Sequence, residues 1–106
     1  MKTTSLDPAI LAQNASSAAV LLKMIANQHR LLVLCQLVTG EHSAADLLAG
    51  STLSQSALSQ HLSKLREHGL VTTRRDGLSI YYSIADPAVT QIMTTLAEIY
   101  RPAETI

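Results

Sequence analysis

The segment from Thr52 to Gly69, TLSQSALSQHLSKLREHG, restricts most strongly what this chain can fold into. Ser54 is a suitable N-cap, because its hydroxyl can accept a bond from an unpaired amide of a first helical turn. Gly69 is typical of a helix C-terminus. Between them, one apolar stripe at helical spacing is formed by Leu58, Leu62 and Leu65. The segment is therefore predicted to be an amphipathic helix.

The opposite face of this helix is polar but uncharged, and it carries Gln55, Ser56, Ser59, Gln60 and Ser63. Glutamine can pair with adenine through two hydrogen bonds, and serine can reach a base edge or a phosphate. A solvated face would more often carry Glu and Lys. Two interpretations are open on this segment alone, a helix that enters a DNA major groove and an ordinary Ser/Gln-rich surface helix.

Capping signals place three helices before this segment. Asp7-Pro8 begins the first, Asn27 caps a second over residues 28–38, and Ser43 caps a short third over residues 44–49. Glu41-His42 is expected to be a short connection. The third helix and the Ser54 helix are close enough to form a helix-turn-helix pair.

After Gly69 the pattern changes to that of strands. Residues 70–73 and 78–84 read as a hairpin, the second strand having Leu78, Ile80, Tyr82 and Ile84 on one face. Arg74-Arg75-Asp76-Gly77 is predicted to be the turn, since Asp-Gly is a strong hairpin signal. A basic-tipped hairpin directly after such a helix is the wing of a winged helix, whose arginines can contact phosphate or reach into the minor groove.

The predicted fold is therefore mainly α with a small β-hairpin wing, in the order α-α-α-α-β-β-α, as a single domain over residues 1–106. The first helix (about 8–26) is apolar over much of its circumference, and the last (about 87–101) carries an apolar stripe. Both are expected to form the interface of a homodimer. A fully buried first helix is the alternative.

Charge and sequence motifs favour DNA binding and argue against a secreted protein, a membrane protein or an enzyme. The formal net charge is zero, but residues 53–83 hold four Lys and Arg against two acids, the sign required for phosphate contact. No secretory signal or membrane span is recognisable, so a cytoplasmic protein is expected. The glycines, which are Gly40, Gly50, Gly69 and Gly77, form no phosphate-binding or nucleophile-elbow motif, and no enzymatic function is predicted.

The segments ANQHRLLVL, LSQSALSQHLSKLREHGLV and TTRRDGLSIYYSI resemble the ArsR/SmtB-type winged-helix repressors of bacteria. The resemblance runs from about Lys23 to Tyr100. It implies a homodimer that binds an imperfectly palindromic double-stranded DNA operator and releases it when an effector is sensed. The candidate DNA-binding residues are Ser54, Gln55, Ser56, Ser59, Gln60, His61, Lys64, Arg74 and Arg75. A winged-helix protein-interaction module is the alternative function.

The effector is less well defined. Where metal-sensing members carry cysteines this chain has Ser43 and Ala45, so no metal is expected. No other cofactor is expected either. The chain is more similar to the sulfur- and redox-responsive branch that includes BigR, SqrR, HlyU and YgaV, and Cys35 matches its first cysteine. Arg101 stands where that branch has the second, which excludes the family's disulfide.

Cys35 accordingly has two interpretations. It is either a small hydrophobic residue on the core face of the second helix, which is the favoured interpretation, or a thiol sensor activated by a neighbouring cation such as Arg101. A regulator without any thiol effector also remains open.

Overall fold

Side-chain caps begin most helices in the computed structural model, which describes residues 6–103. The helices are α1 (Pro8–Gln13), α2 (Ala15–Ile25), α3 (Gln28–Val38), α4 (Ala44–Ala49), α5 (Gln55–Glu67) and α6 (Pro87–Ile99). Five caps accept bonds from first-turn amides, and these are Asp7, Asn27, Ser43, Ser54 and Asp86. The helix starts predicted at these residues are confirmed.

The first predicted helix is divided at Asn14, which separates α1 from α2. The Asn14 side chain donates a hydrogen bond to the Ile10 carbonyl at 2.9 Å, and its ψ of 15° departs from helical geometry. Asparagine competes with the backbone in this way, which explains the break. The expectation of one continuous helix over residues 8–26 is therefore wrong in this detail.

A three-stranded antiparallel sheet has the order β1-β3-β2, with β1 at His42–Ser43, β2 at Val71–Asp76 and β3 at Ser79–Ile84. Strand β1 takes the place of the expected connection, and two residues are too few to show a periodic pattern. The hairpin turn is Gly77-Leu78, because Asp76 pairs with Ser79. The prediction of a turn over residues 74–77 is wrong, since both arginines lie in β2.

Leu78 is also misplaced by the sequence prediction. It lies in the turn and is fully exposed, not on the apolar face of the second strand. Gly77 takes a φ of 65°, as the first residue of a two-residue hairpin loop often does. The tip of the wing thus presents an apolar side chain, and the arginines lie below it.

One hydrophobic core is shared by the helices from α3 to α6. The most deeply buried large side chains come from α3, α4, α5 and α6, and they are Leu34, Leu47, Leu65 and Val89. Leu58 and Leu62 of α5 are each 3 % exposed, which confirms the predicted apolar stripe. Because three leucines of α5 are held in this core, its opposite face is fixed towards solvent.

The first and last helices leave large apolar side chains uncovered, among them Ile10, Leu11, Val20, Leu22, Ile99 and Tyr100. In α6 only the N-terminal part of the apolar stripe, Val89 and Met93, is buried. Within residues 6–103 no single helix is long and apolar enough to cross a membrane, and α2 and α3 reach that length and hydropathy only together, across a 90° bend.

Candidate nucleic-acid interface

Helix α5 presents to solvent a polar surface without acidic side chains. The Ser54 Oγ accepts the Ala57 amide at 3.1 Å and so fixes where the helix begins. Each of its predicted base-reading side chains is exposed, namely Gln55, Ser56, Ser59 and Gln60. We refer to residues 55, 56, 59, 60, 63 and 64 as the polar face. All of them except Gln55 line one shallow hollow, so the predicted residues lie side by side.

Lys64 gives this face its cation. It is exposed at the C-terminal end of the hollow, three helical turns after the cap. Serine and glutamine side chains with one flanking lysine can approach base edges while the lysine neutralises a phosphate. The surface is open and shallow, which suits a duplex better than a small ligand.

His61 is separated from the rest of the predicted set. It is half-buried, and its Nδ1 lies 3.3 Å from the Arg30 Nη1 of α3. Its ring also stands 5.9 Å from that of His29. Burial lowers the pKa of His61, and the cationic neighbours Arg30, His29 and Lys64 lower it further. The structure therefore places His61 between α5 and α3, away from the polar face.

Arg30 is the residue that sequence reasoning missed here. Its side chain is 8 % exposed, and its Nε donates to the Met24 carbonyl at 2.6 Å while Nη2 donates to the Lys23 carbonyl at 3.2 Å. It thereby ties the C-terminal end of α2 to α5. The only signal in the sequence is a lone arginine ahead of an apolar run.

The two wing arginines project from opposite faces of the sheet. Side chains alternate along a strand, so Arg75 shares the face of Val71, which is buried against the core, and Arg74 takes the other. Arg75 is exposed beyond the edge of the core, opposite Ile80. The structure therefore does not bring Arg74 and Arg75 together as one basic tip.

Arg74 is engaged within the sheet. Its Nε and Nη2 lie 2.7 and 2.8 Å from the two carboxylate oxygens of Glu41, and its guanidinium stands 4.6 Å from the centroid of the Tyr81 ring. The hydrogen bond from Arg74 lowers the pKa of Glu41, and the same bond raises the pKa of Arg74. Glu41 lies just before β1, a strand that the sequence does not reveal.

Cys35 is exposed, so the favoured expectation of a core position is wrong for this chain. The inward face of α3 is formed by Arg30, Val33, Leu34 and Leu37. Leu32 and Val38 are exposed on the same outward side as Cys35. In residues 6–103, no three His, Cys, Asp or Glu side chains are grouped so that they could hold a metal ion.

Comparisons with known proteins agree with this geometry. Residues 27–73 match the family described as "Bacterial regulatory protein, arsR family". The chain is 41% identical over 90 residues to the transcriptional activator HlyU of Vibrio cholerae, covering 85% of this chain and 83% of that one. It is 50% identical over 88 residues to the nodulation protein NolR of Rhizobium meliloti, covering 83% and 72%.

A solved structure of similar shape is that of the transcriptional repressor BigR from Xylella fastidiosa. Its TM-score is 0.87 at 33% identity, over 92% of this chain and all of that one. A match over 92% of the chain extends well beyond the helix-turn-helix. The chain belongs to the ArsR family of bacterial regulatory proteins, and it is a winged-helix, DNA-binding transcriptional regulator.

Proposed function

We propose that the protein is a repressor that acts as a homodimer on a palindromic operator, with the two copies of α5 in successive major grooves. The exposed polar face of α5 carries this proposal, because its side chains are of types that can form hydrogen bonds with bases, and they bring no negative charge near phosphate. Symmetric regulators of this kind read two half-sites about one helical turn apart. Binding to chromosomal DNA implies that the protein works in the cytoplasm.

Within this arrangement Gln55, Ser56, Ser59 and Gln60 read bases, and Lys64 and Arg75 contact the backbone. Ser54 contributes by capping the helix, and His61 by supporting it from α3. The module that binds only proteins, the alternative function, is disfavoured by membership of a family of DNA-binding regulators. No enzymatic activity is proposed.

The experiment is a fluorescence-anisotropy titration with the protein's own upstream promoter fragment and a scrambled duplex, at two salt concentrations. Tight, promoter-preferring binding is expected, and its absence from both duplexes would reject the proposal. Gln60→Ala should cost about 1–3 kcal/mol on the promoter alone, since it removes a base contact. Arg75→Ala should weaken binding to both duplexes and reduce the salt slope of the dimer by about two, one for each subunit.

Equal losses on promoter and scrambled DNA for Gln60→Ala would contradict its role in base reading. Gln28→Ala is a matched control, because Gln28 is exposed on α3 and belongs to neither the polar face, nor the wing, nor the helices of the proposed dimer interface. It should leave both affinities unchanged.

We further propose that the Cys35 thiol is open to modification and that its modification weakens DNA binding. The observation in favour is its exposure on α3. Polysulfide or peroxide treatment should add mass to the protein and lower its affinity for the promoter, and Cys35→Ser should abolish both effects. An unchanged intact mass after both treatments would reject the Cys35 proposal and favour a regulator that has no thiol effector.

A further inference from the structure

We propose that Glu41, Arg74 and Tyr81 form a clamp that holds the wing against the start of the helix-turn-helix, so that Arg74 positions the wing and Arg75 makes its phosphate contact. The inference rests on the proposed mode of DNA binding. It changes the role of Arg74, which the sequence places among the DNA contacts. We call these three residues the wing clamp.

The bond at the centre of the wing clamp is a bidentate ion pair. The Arg74 Nε and Nη2 donate to Glu41 Oε2 and Oε1 at 2.7 and 2.8 Å. Two parallel bonds of this kind fix the planar guanidinium in orientation as well as in position. The pair is partly exposed, with 55% and 35% of the two side chains accessible, so its contribution is geometric more than energetic.

The register of the sheet explains why these residues meet. Arg74 pairs with Tyr81 in β3, and Tyr81 pairs with Ser43 in β1, so all three side chains share one face. Glu41 lies two residues before Ser43 and shares that face too. Arg74 therefore reaches across β3, over the Tyr81 ring, to the far edge of the sheet, where stacking on an aromatic face adds a cation–π contact.

The charges around Arg74 disfavour a phosphate contact. Its remaining Nη1 lies 4.0 Å from the Asp76 carboxylate, so two acidic groups surround one guanidinium. A phosphate would have to displace Glu41 and approach Asp76. Arg75, on the opposite face, has no salt bridge to any residue in the 6–103 range.

The wing clamp acts on the helix-turn-helix because of where Glu41 sits. Ser43, two residues later, caps α4, which is the first helix of the pair. A bond from β2 to Glu41 thus fixes the hairpin relative to the segment from which α4 begins. Loss of the bond leaves the hairpin and the pairing of β3 with β1 intact, but it removes the side-chain tie between β2 and the segment before α4.

The test combines DNA binding with amide hydrogen exchange of the free protein. Arg74→Ala and Glu41→Gln should each weaken promoter binding by roughly 2- to 5-fold with an unchanged salt slope, and both should speed exchange in β2 and β3. Arg75→Ala should lower the salt slope of the dimer by about two, one for each subunit, without affecting exchange. Thermal unfolding of each variant verifies that it folds.

Arg74→Lys keeps the charge but cannot form the bidentate pair, so it should also weaken promoter binding and speed exchange. A lower salt slope for Arg74→Ala, tighter binding by Glu41→Gln or wild-type exchange in Arg74→Lys would each overturn the clamp. Unchanged amide exchange in Arg74→Ala and Glu41→Gln would also overturn the clamp, and this result does not depend on DNA binding. If the wild type binds no DNA, the proposed function fails while the exchange result still decides whether the clamp exists.

Discussion

The cluster of Arg30, His61 and His29 places three nitrogen-bearing side chains at the contact between α3 and α5. Arg30 is the residue with the firmest role, since it satisfies the Lys23 and Met24 carbonyls where α2 ends. A cation at a helix C-terminus is favourable both for the free carbonyls and for the helix dipole. The third guanidinium nitrogen, Nη1, donates a hydrogen bond to the His61 Nδ1, which can accept it only when the imidazole is neutral.

The protonation of His61 should therefore destabilise the protein. Its pKa is lowered by burial and then by Arg30, His29 and Lys64, so the folded state binds fewer protons than the unfolded state. The stability contributed by neutral His61 is complete above about pH 6.5, the ordinary value of the unfolded side chain, and is lost as the pH falls from there towards the folded pKa.

Urea unfolding between pH 7.5 and 5.5 measures this effect. The free energy of unfolding should fall more steeply with decreasing pH for the wild type than for His61→Gln. His68→Gln is the matched control, because His68 is exposed just after the same helix, and it should retain the wild-type dependence. Identical pH profiles for wild type and His61→Gln would show that His61 is not responsible.

The serines of α5 have two different roles, capping of the helix and the proposed contact with DNA. Ser54 caps the helix through its Oγ, and Ser56 is exposed in the polar face. Ser54→Ala should lower the free energy of unfolding by about 1 kcal/mol, the usual cost of a lost cap. Ser56→Ala should leave stability unchanged and weaken promoter binding. Chemical denaturation and anisotropy of both variants separate the two roles. An unchanged free energy of unfolding for Ser54→Ala would contradict the capping role of Ser54.

Local elements of this fold are predictable because their signals are local. Caps at Asn27, Ser43 and Ser54 act within one helical turn, so the sequence shows the starts of α3, α4 and α5 correctly. The polar face follows from the leucine spacing of the same helix.

Features that depend on distant pairing were not predictable. Arg74 and Arg75 point to opposite faces because both lie in β2, and this in turn depends on the hairpin turn forming at Gly77-Leu78 instead of at the arginines. The exposure of Cys35 and the contact between Arg30 and His61 depend on how α3 is rotated against α5. Glu41 meets Arg74 across 33 residues of chain, for which no local pattern exists.

For the whole molecule, the uncovered apolar side chains of α1, α2 and α6 are the dominant feature. Leu11 and Leu22 are 61% and 55% exposed, and Ile99 at the other end of the chain is 64% exposed. Scattered exposure of single leucines is ordinary, but both terminal elements show it together. In the proposed homodimer a second copy of the chain would cover these helices and supply the second α5 that a palindromic operator requires.

Leu22→Glu should therefore convert the proposed dimer to a monomer, because a buried carboxylate without a partner opposes association. Sedimentation velocity should show the shift at a fixed concentration, and promoter affinity should fall far more than affinity for a single half-site. Leu78→Glu is the control, since Leu78 is equally apolar and fully exposed but lies at the wing tip, so that variant should remain a dimer. A wild type that sediments as a monomer at micromolar concentration, or a Leu22→Glu variant that stays dimeric, would place the interface elsewhere on the surface.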